Sequence, residues 1–176
     1  MITREMRFLD GSVLCVREDV CRGCLMNQME TTLPKLIEPI YDDGEVVVRQ
    51  DAEWPVPGFY IVGLRQHLGA IDRIPVGLYT RLCEVTREVR SAMRTLLGVE
   101  HCHFFQEEKL VGAHYHAWLL PLWPNVMKKH EINPRVYESN IAAYLQLFDL
   151  EGNCDLIHDF NVSMSNHFHS FRLNEC

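Results

Sequence analysis

Apolar and polar residues recur along this chain at two periods, and the changes of period mark its elements. Around Val111–Pro121 Tyr, Trp, His and Leu alternate without turn residues until Pro121, which predicts a β-strand. On such a strand His114, His116 and Trp118 share one face, and Tyr115, Ala117 and Leu119 take the other. Val99–Gln106 reads as a second strand paired with it, with Glu107-Glu108-Lys109 as the connection. Ile37–Tyr41 and Glu45–Gln50 flank Asp42-Asp43-Gly44 and predict a hairpin, in which Pro39 confines the first strand to an edge. Phe59–Leu64 is a further apolar strand, delivering Arg65-Gln66-His67 at its end. Val13-Leu14-Cys15-Val16 is a weak edge-strand candidate.

The period lengthens between Pro75 and Leu97. Tyr79, Leu82, Val85 or Thr86, Val89, Met93 and Leu96–Leu97 fall at helical spacing, with Pro75 at the start and Gly98 just past the end. Leu25–Leu33 predicts a short helix stopped by Pro34. A further helix starts at Asn133-Pro134, with Tyr137, Ile141, Tyr144, Leu145 and Phe148 on its apolar face. Residues 151–176 show weak periodicity and read as a solvated tail or an added strand. The order of elements predicts an α+β domain, an antiparallel sheet with helices on one side.

With 176 residues the chain reads as one domain, with a core at about 15–125 and a C-terminal helical extension at about 126–176. A net charge of -7 excludes a broad electrostatic footprint for nucleic acid but leaves room for a small anionic ligand. No leader peptide is visible at the start, and the longest apolar run, Ala117–Trp123, is too short to span a bilayer. Seven cysteines in such a chain point to thiols or metal ligands rather than disulfides, and the expected location is cytoplasmic.

Chemistry concentrates in four motifs. Cys21-Arg22-Gly23-Cys24 is a CxxC pair, redox-active or half of a tetrahedral zinc site, and no βαβ pattern surrounds it to favour the redox reading. His114 and His116 lie about 7 Å apart on one strand face, where they can share a metal, or one can bind metal while its neighbour does chemistry. His101-Cys102-His103 and His167-Phe168-His169 repeat the H-x-H spacing without thiols or acids beside the first pair.

From about Cys21 to Pro121 the chain resembles the histidine-triad superfamily of nucleotide hydrolases and nucleotidyltransferases. The triad signature H-x-H-x-H-x-x, often followed by proline, reads here His114-Tyr115-His116-Ala117-Trp118-Leu119-Leu120-Pro121. The family's acidic residue ahead of a proline-rich segment ending in histidine is matched by Asp51 and by Pro55–His67. Some members, galactose-1-phosphate uridylyltransferases among them, also hold zinc with an N-terminal CxxC and two histidines. The counterparts here are Cys21, Cys24, His67 and His114.

The resemblance implies an antiparallel half-barrel sheet with a long helix packed on it. It also implies a structural zinc on those four ligands, in preference to an arrangement that puts both His114 and His116 on the metal. His116 is then the implied nucleophile toward the α-phosphorus of a nucleotide, forming a covalent nucleotidyl-histidine. Asp51 would bind the ribose hydroxyls, and Gln106 and Trp118 would line the substrate. Arg65 and Lys109 are the nearest cations in sequence and read as surface charges. Homodimerisation is common in the family.

Three departures stand beside the matches. Trp118 replaces the third histidine, Phe59 the upstream one, and Val111 the small hydroxyl residue before the motif. An indole N–H donates a hydrogen bond but cannot shuttle a proton. The expectation is therefore hydrolysis or transfer of a nucleoside monophosphate group with a polyphosphate-like leaving group. The alternatives are a zinc-stabilised binder of a nucleotide or another small ligand with little or no turnover, and an interaction domain whose former site Trp118 fills.

Overall fold

A computed structural model describes residues 3–28, 33–108, 113–132 and 141–173. Its first unit is a hairpin of Thr3–Arg7 (β1) and Val13–Arg17 (β2), turned by Gly11 at φ +81°. The predicted edge strand at 13–16 thus pairs with a strand the sequence does not announce, in a two-stranded sheet of its own. Arg22–Gln28 (α1) begins inside the CxxC motif, three residues earlier than the pattern predicts; residues 29–32 of the predicted helix lie outside the described ones.

The main sheet follows from the alternating segments. Tyr41–Asp42 (β3), Val46–Gln50 (β4) and Tyr60–Leu64 (β5) precede Val76–Leu97 (α2), and Cys102–Gln106 (β6) and His116–Pro121 (β7) follow it. Every pairing is antiparallel, in the order β3-β4-β5-β7-β6. Gly44, at φ +89°, makes the predicted hairpin turn. The first hairpin strand is shorter than predicted: Lys35–Ile37 forms a 3-10 turn between Pro34 and Pro39, and only two residues pair at the sheet edge. Pro75 N-terminally flanks α2, and Gly98 in the left-handed region ends it, so both boundary signals hold.

Strand alternation divides the sheet into two faces. Val46, Val48, Tyr60, Val62, Leu64, Tyr115 and Leu119 pack under Leu82, Val85, Val89 and Met93 of α2. On the other face Leu120, with Trp118 and Phe105 beside it, packs against Val56, Phe59 and Met127. Pro124–Lys129 (α3) and Ile141–Leu145 (α4) supply Met127, Tyr144 and Leu145 to that second cluster. The predicted helix start at Asn133 lies outside the described residues.

The expectation of a solvated tail or added strand after residue 150 is corrected. Leu150–Leu173 (α5) is a 24-residue helix docked on α2 and β3. Its buried positions, Ile157, Asn161, Met164 and Phe168, follow helical spacing. Asn161 interrupts the apolar stripe, and Leu156 and Val162 are exposed on the far side, which blurs the period in the sequence. Among the described residues no helix is long and apolar enough to cross a membrane.

Candidate metal centre and the adjoining histidine

Four donor atoms converge where α1, the loop after β5 and the entry to β7 meet. Those of Cys21, Cys24, His67 and His114 lie within 4.8 Å of one another. Cys24 Sγ is 3.2 Å from His67 Nδ1 and 3.5 Å from His114 Nδ1, and Cys21 Sγ is 3.4 Å from His114 Nδ1. A tetrahedron with arms of about 2.0–2.3 Å has edges of about 3.3–3.8 Å, so the spacing suits a four-coordinate Cys2His2 ion. This group could hold a metal. His116 stands outside it.

The surroundings fix which atoms face inward. His114 is 8% exposed, and its Nε2 lies 2.7 Å from the Leu64 carbonyl. A carbonyl only accepts, so Nε2 carries the proton and Nδ1 presents its lone pair to the thiols. Asn27 Nδ2 donates to the same carbonyl, and the Arg49 guanidinium donates to Asn27 Oδ1, so α1 is bolted to the sheet beside the site. Gly23 lets the CxxC turn lie on the His114 ring: a Cβ there would meet ring atoms at 2.5–2.8 Å.

Electrostatics favour a cation at this point. Burial, and then the neighbouring Cys21, push the Cys24 thiol up to about 11. Burial likewise holds the His114 imidazole below its usual range, against the Leu64 hydrogen bond, and His67 adds to the lowering. Two crowded thiols and a neutral imidazole lack positive charge, which a divalent ion would supply.

One residue pair along β7 the chemistry changes. His116 lies across from Gly63 and Trp118 across from Ile61, on the sheet face opposite α2. His116 Nδ1 donates to its neighbour's backbone, the His114 carbonyl, at 2.6 Å, so Nε2 is the unprotonated nitrogen of its neutral ring. The Trp118 indole meets His116 edge-on with ring centres 4.1 Å apart and stacks on Phe105 at 5.0 Å. Its Nε1–H donates to Asp51 Oδ2 at 3.3 Å.

Asp51 is 5% exposed, and its Oδ1 accepts the Glu53 and Trp54 backbone N–H groups at 2.9 Å each. Burial pushes its carboxyl up to about 6, against those hydrogen bonds. His116, Trp118 and Asp51 thus form one connected group. Gln106 is not brought to it: β6 sets Gln106 across from Ala117, on the other face from His116. Arg65 pairs with Asp42, and Lys109 and Val111 lie outside the described residues. Phe59 is buried in the second cluster.

Sequence reasoning does not find Arg49, a 4%-exposed guanidinium on the same sheet face as His116 and Trp118. Its signal is a lone arginine inside the apolar strand Val46–Gln50. His167, of the third H-x-H, bonds Glu88 of α2 at 2.6 Å; on a helix His169 points elsewhere, so the two cannot share an ion as they would on a strand.

No family model and no curated protein matches the sequence. Solved structures do. A histidine triad nucleotide-binding protein from Sulfolobus tokodaii is 16% identical over 83% of this chain and 93% of its own, with a TM-score of 0.55. A zinc-bound histidine triad family protein from Mycobacterium smegmatis is 14% identical over 82% and 96%, with a TM-score of 0.52. The likeness shows the histidine-triad fold: a five-stranded antiparallel sheet with a long helix packed on it.

Proposed function

We propose that the chain binds a nucleotide and transfers or hydrolyses its nucleoside monophosphate group through His116. The observation that carries this reading is the hydrogen bond from His116 Nδ1 to the His114 carbonyl. It holds the ring in the tautomer whose Nε2 has the lone pair, on a face that Gly63 opposite leaves without a side chain. The name of the Sulfolobus tokodaii protein, which describes nucleotide binding, supports the ligand class.

In the proposed step, His116 Nε2 forms a bond to the α-phosphorus as the bond to the leaving oxygen breaks. That oxygen departs with the electron pair on pyrophosphate or polyphosphate. Water or an acceptor hydroxyl then displaces His116 and gives up its proton to solvent. Splitting one displacement into two is the rationale for the covalent intermediate. Asp51 would accept from the ribose and Trp118 would wall the site.

The metal on Cys21, Cys24, His67 and His114 would be zinc. With four protein ligands it supplies structure, not a bound water.

A second reading, a nucleotide binder with little turnover, is favoured by Trp118, whose N–H is on Asp51 where a proton-shuttling imidazole is expected. Turnover of a panel of nucleotides, dinucleoside polyphosphates and sugar nucleotides by the wild type and by His116→Ala separates the two. The enzyme predicts activity lost in the variant with binding kept, and the binder predicts no turnover in either.

A further inference from the structure

We infer that a cavity at the β6 edge, beyond the Phe105–Trp118 stack from His116, is a second ligand site, for a phosphomonoester with an apolar or aromatic body. The cavity measures about 830 Å3, within the usual range for small-molecule sites, and lies between β6, the end of α2 and α3. Arg90 and Lys128 line it against a single carboxylate, Glu100, and His101 and His103 complete its polar lining. That balance opposes the chain's net charge of -7. Glu100 also pairs with Arg94 at 3.8 Å, which draws off part of its charge.

Arg90 is held in place before any ligand arrives. Its two terminal nitrogens donate to the Val99 and Glu100 carbonyls at 3.0 and 2.8 Å. A guanidinium has five N–H donors, so donors remain after these two bonds. Lys128, in the last turn of α3, also lines the cavity. A phosphate reaching both would meet two cationic side chains, with the exposed His101 imidazole beside them. Leu122 and Met127 supply an apolar wall, which sugar or phosphate alone does not need.

The place is distinct from the His116 site. His103 pairs across from Leu120, four residues along β7 from His116, or about 13 Å at 3.3 Å per residue. The stacked rings of Phe105 and Trp118 stand between.

The test is an NMR titration of the full chain with 1-naphthyl phosphate, read at the Met127 methyl group and assigned with Met127→Leu. Inorganic phosphate and 1-naphthol serve as half-ligands. The expected result is a saturable shift with a dissociation constant below about 1 mM, and weaker binding of each half-ligand. Lys128→Glu and His101→Ala change exposed side chains and should raise the constant at least about tenfold and severalfold respectively, with unchanged melting temperatures. His116→Ala should leave the titration as it is, whatever it does to turnover. An unmoved Met127 signal, equal affinity in Lys128→Glu, or loss of the shift in His116→Ala would overturn the inference.

Discussion

The backbone carbonyl of His114 accepts the Nδ1–H of His116, while the His114 imidazole faces the Cys21 and Cys24 thiols. One residue therefore belongs to both the candidate metal centre and the orientation of the proposed nucleophile. What fixes the His114 backbone also fixes the tautomer of His116. Loss of the metal centre should consequently disturb activity without touching His116.

Purified protein should contain about one zinc per chain, and Cys21→Ser with Cys24→Ser should remove it. A ligand held only by the folded state at a thousandfold excess over its dissociation constant contributes about 4 kcal/mol. For a chain of this length the variant's melting temperature should fall by about 10 °C. Elemental analysis and thermal melts check both; zinc near zero in fresh wild type would remove the metal from the account.

Gly23 offers a sharper probe, because its substitution leaves all four donors in place. Gly23→Ala puts a methyl group within 2.8 Å of the His114 ring, which the Leu64 hydrogen bond prevents from retreating. Overpacking of this kind costs about 1–3 kcal/mol. Weaker zinc retention under a chelator, measured against wild type, is the expected result.

Asp51 predicts a pH dependence. Its folded-state value, about 6, lies above the ordinary 3.8, so the neutral form is favoured by folding. That contribution is complete below pH 3.8 and is lost as pH rises through 6, an amount of about 3 kcal/mol. Asp51→Asn cannot ionise and should lack this slope. Denaturant melts of both proteins between pH 4 and 7.5 measure it, and parallel curves would contradict the assignment.

The docking of α5 can be tested at Phe168, which is 1% exposed and packs against Tyr41 at a ring distance of 4.9 Å. Phe168→Ala should cost about 3–5 kcal/mol. A cost under about 1 kcal/mol in chemical denaturation would mean that the helix is not part of the core.

Much of this architecture is legible before folding is considered. The α2 helix is bracketed by Pro75 and Gly98, and the hairpin by Asp43-Gly44, so local rules place them. The α5 helix is not legible, because its buried stripe contains Asn161, whose Nδ2 donates to the Leu36 carbonyl. Only a contact across the chain explains that polar position.

The site divides the same way. Cys21, Cys24, His67 and His114 are legible as a set only through the family resemblance, and the structure brings their donor atoms together. The Leu64 carbonyl that sets the His114 tautomer and the glycine that accommodates its ring are tertiary facts. Gln106 shows the limit most plainly: alternation along β6 is readable, but its face is settled only by the pairing with Ala117.

The proposed chemistry stands on covalent capture at His116. Wild-type protein mixed with a nucleoside triphosphate or dinucleoside polyphosphate, quenched in acid-free denaturant and analysed by intact mass and peptide mapping, measures it most directly. The account predicts one nucleoside monophosphate added per chain, located on His116 and absent from His116→Ala. Turnover with no adduct at any quench time, or an adduct that survives in His116→Ala, would contradict it.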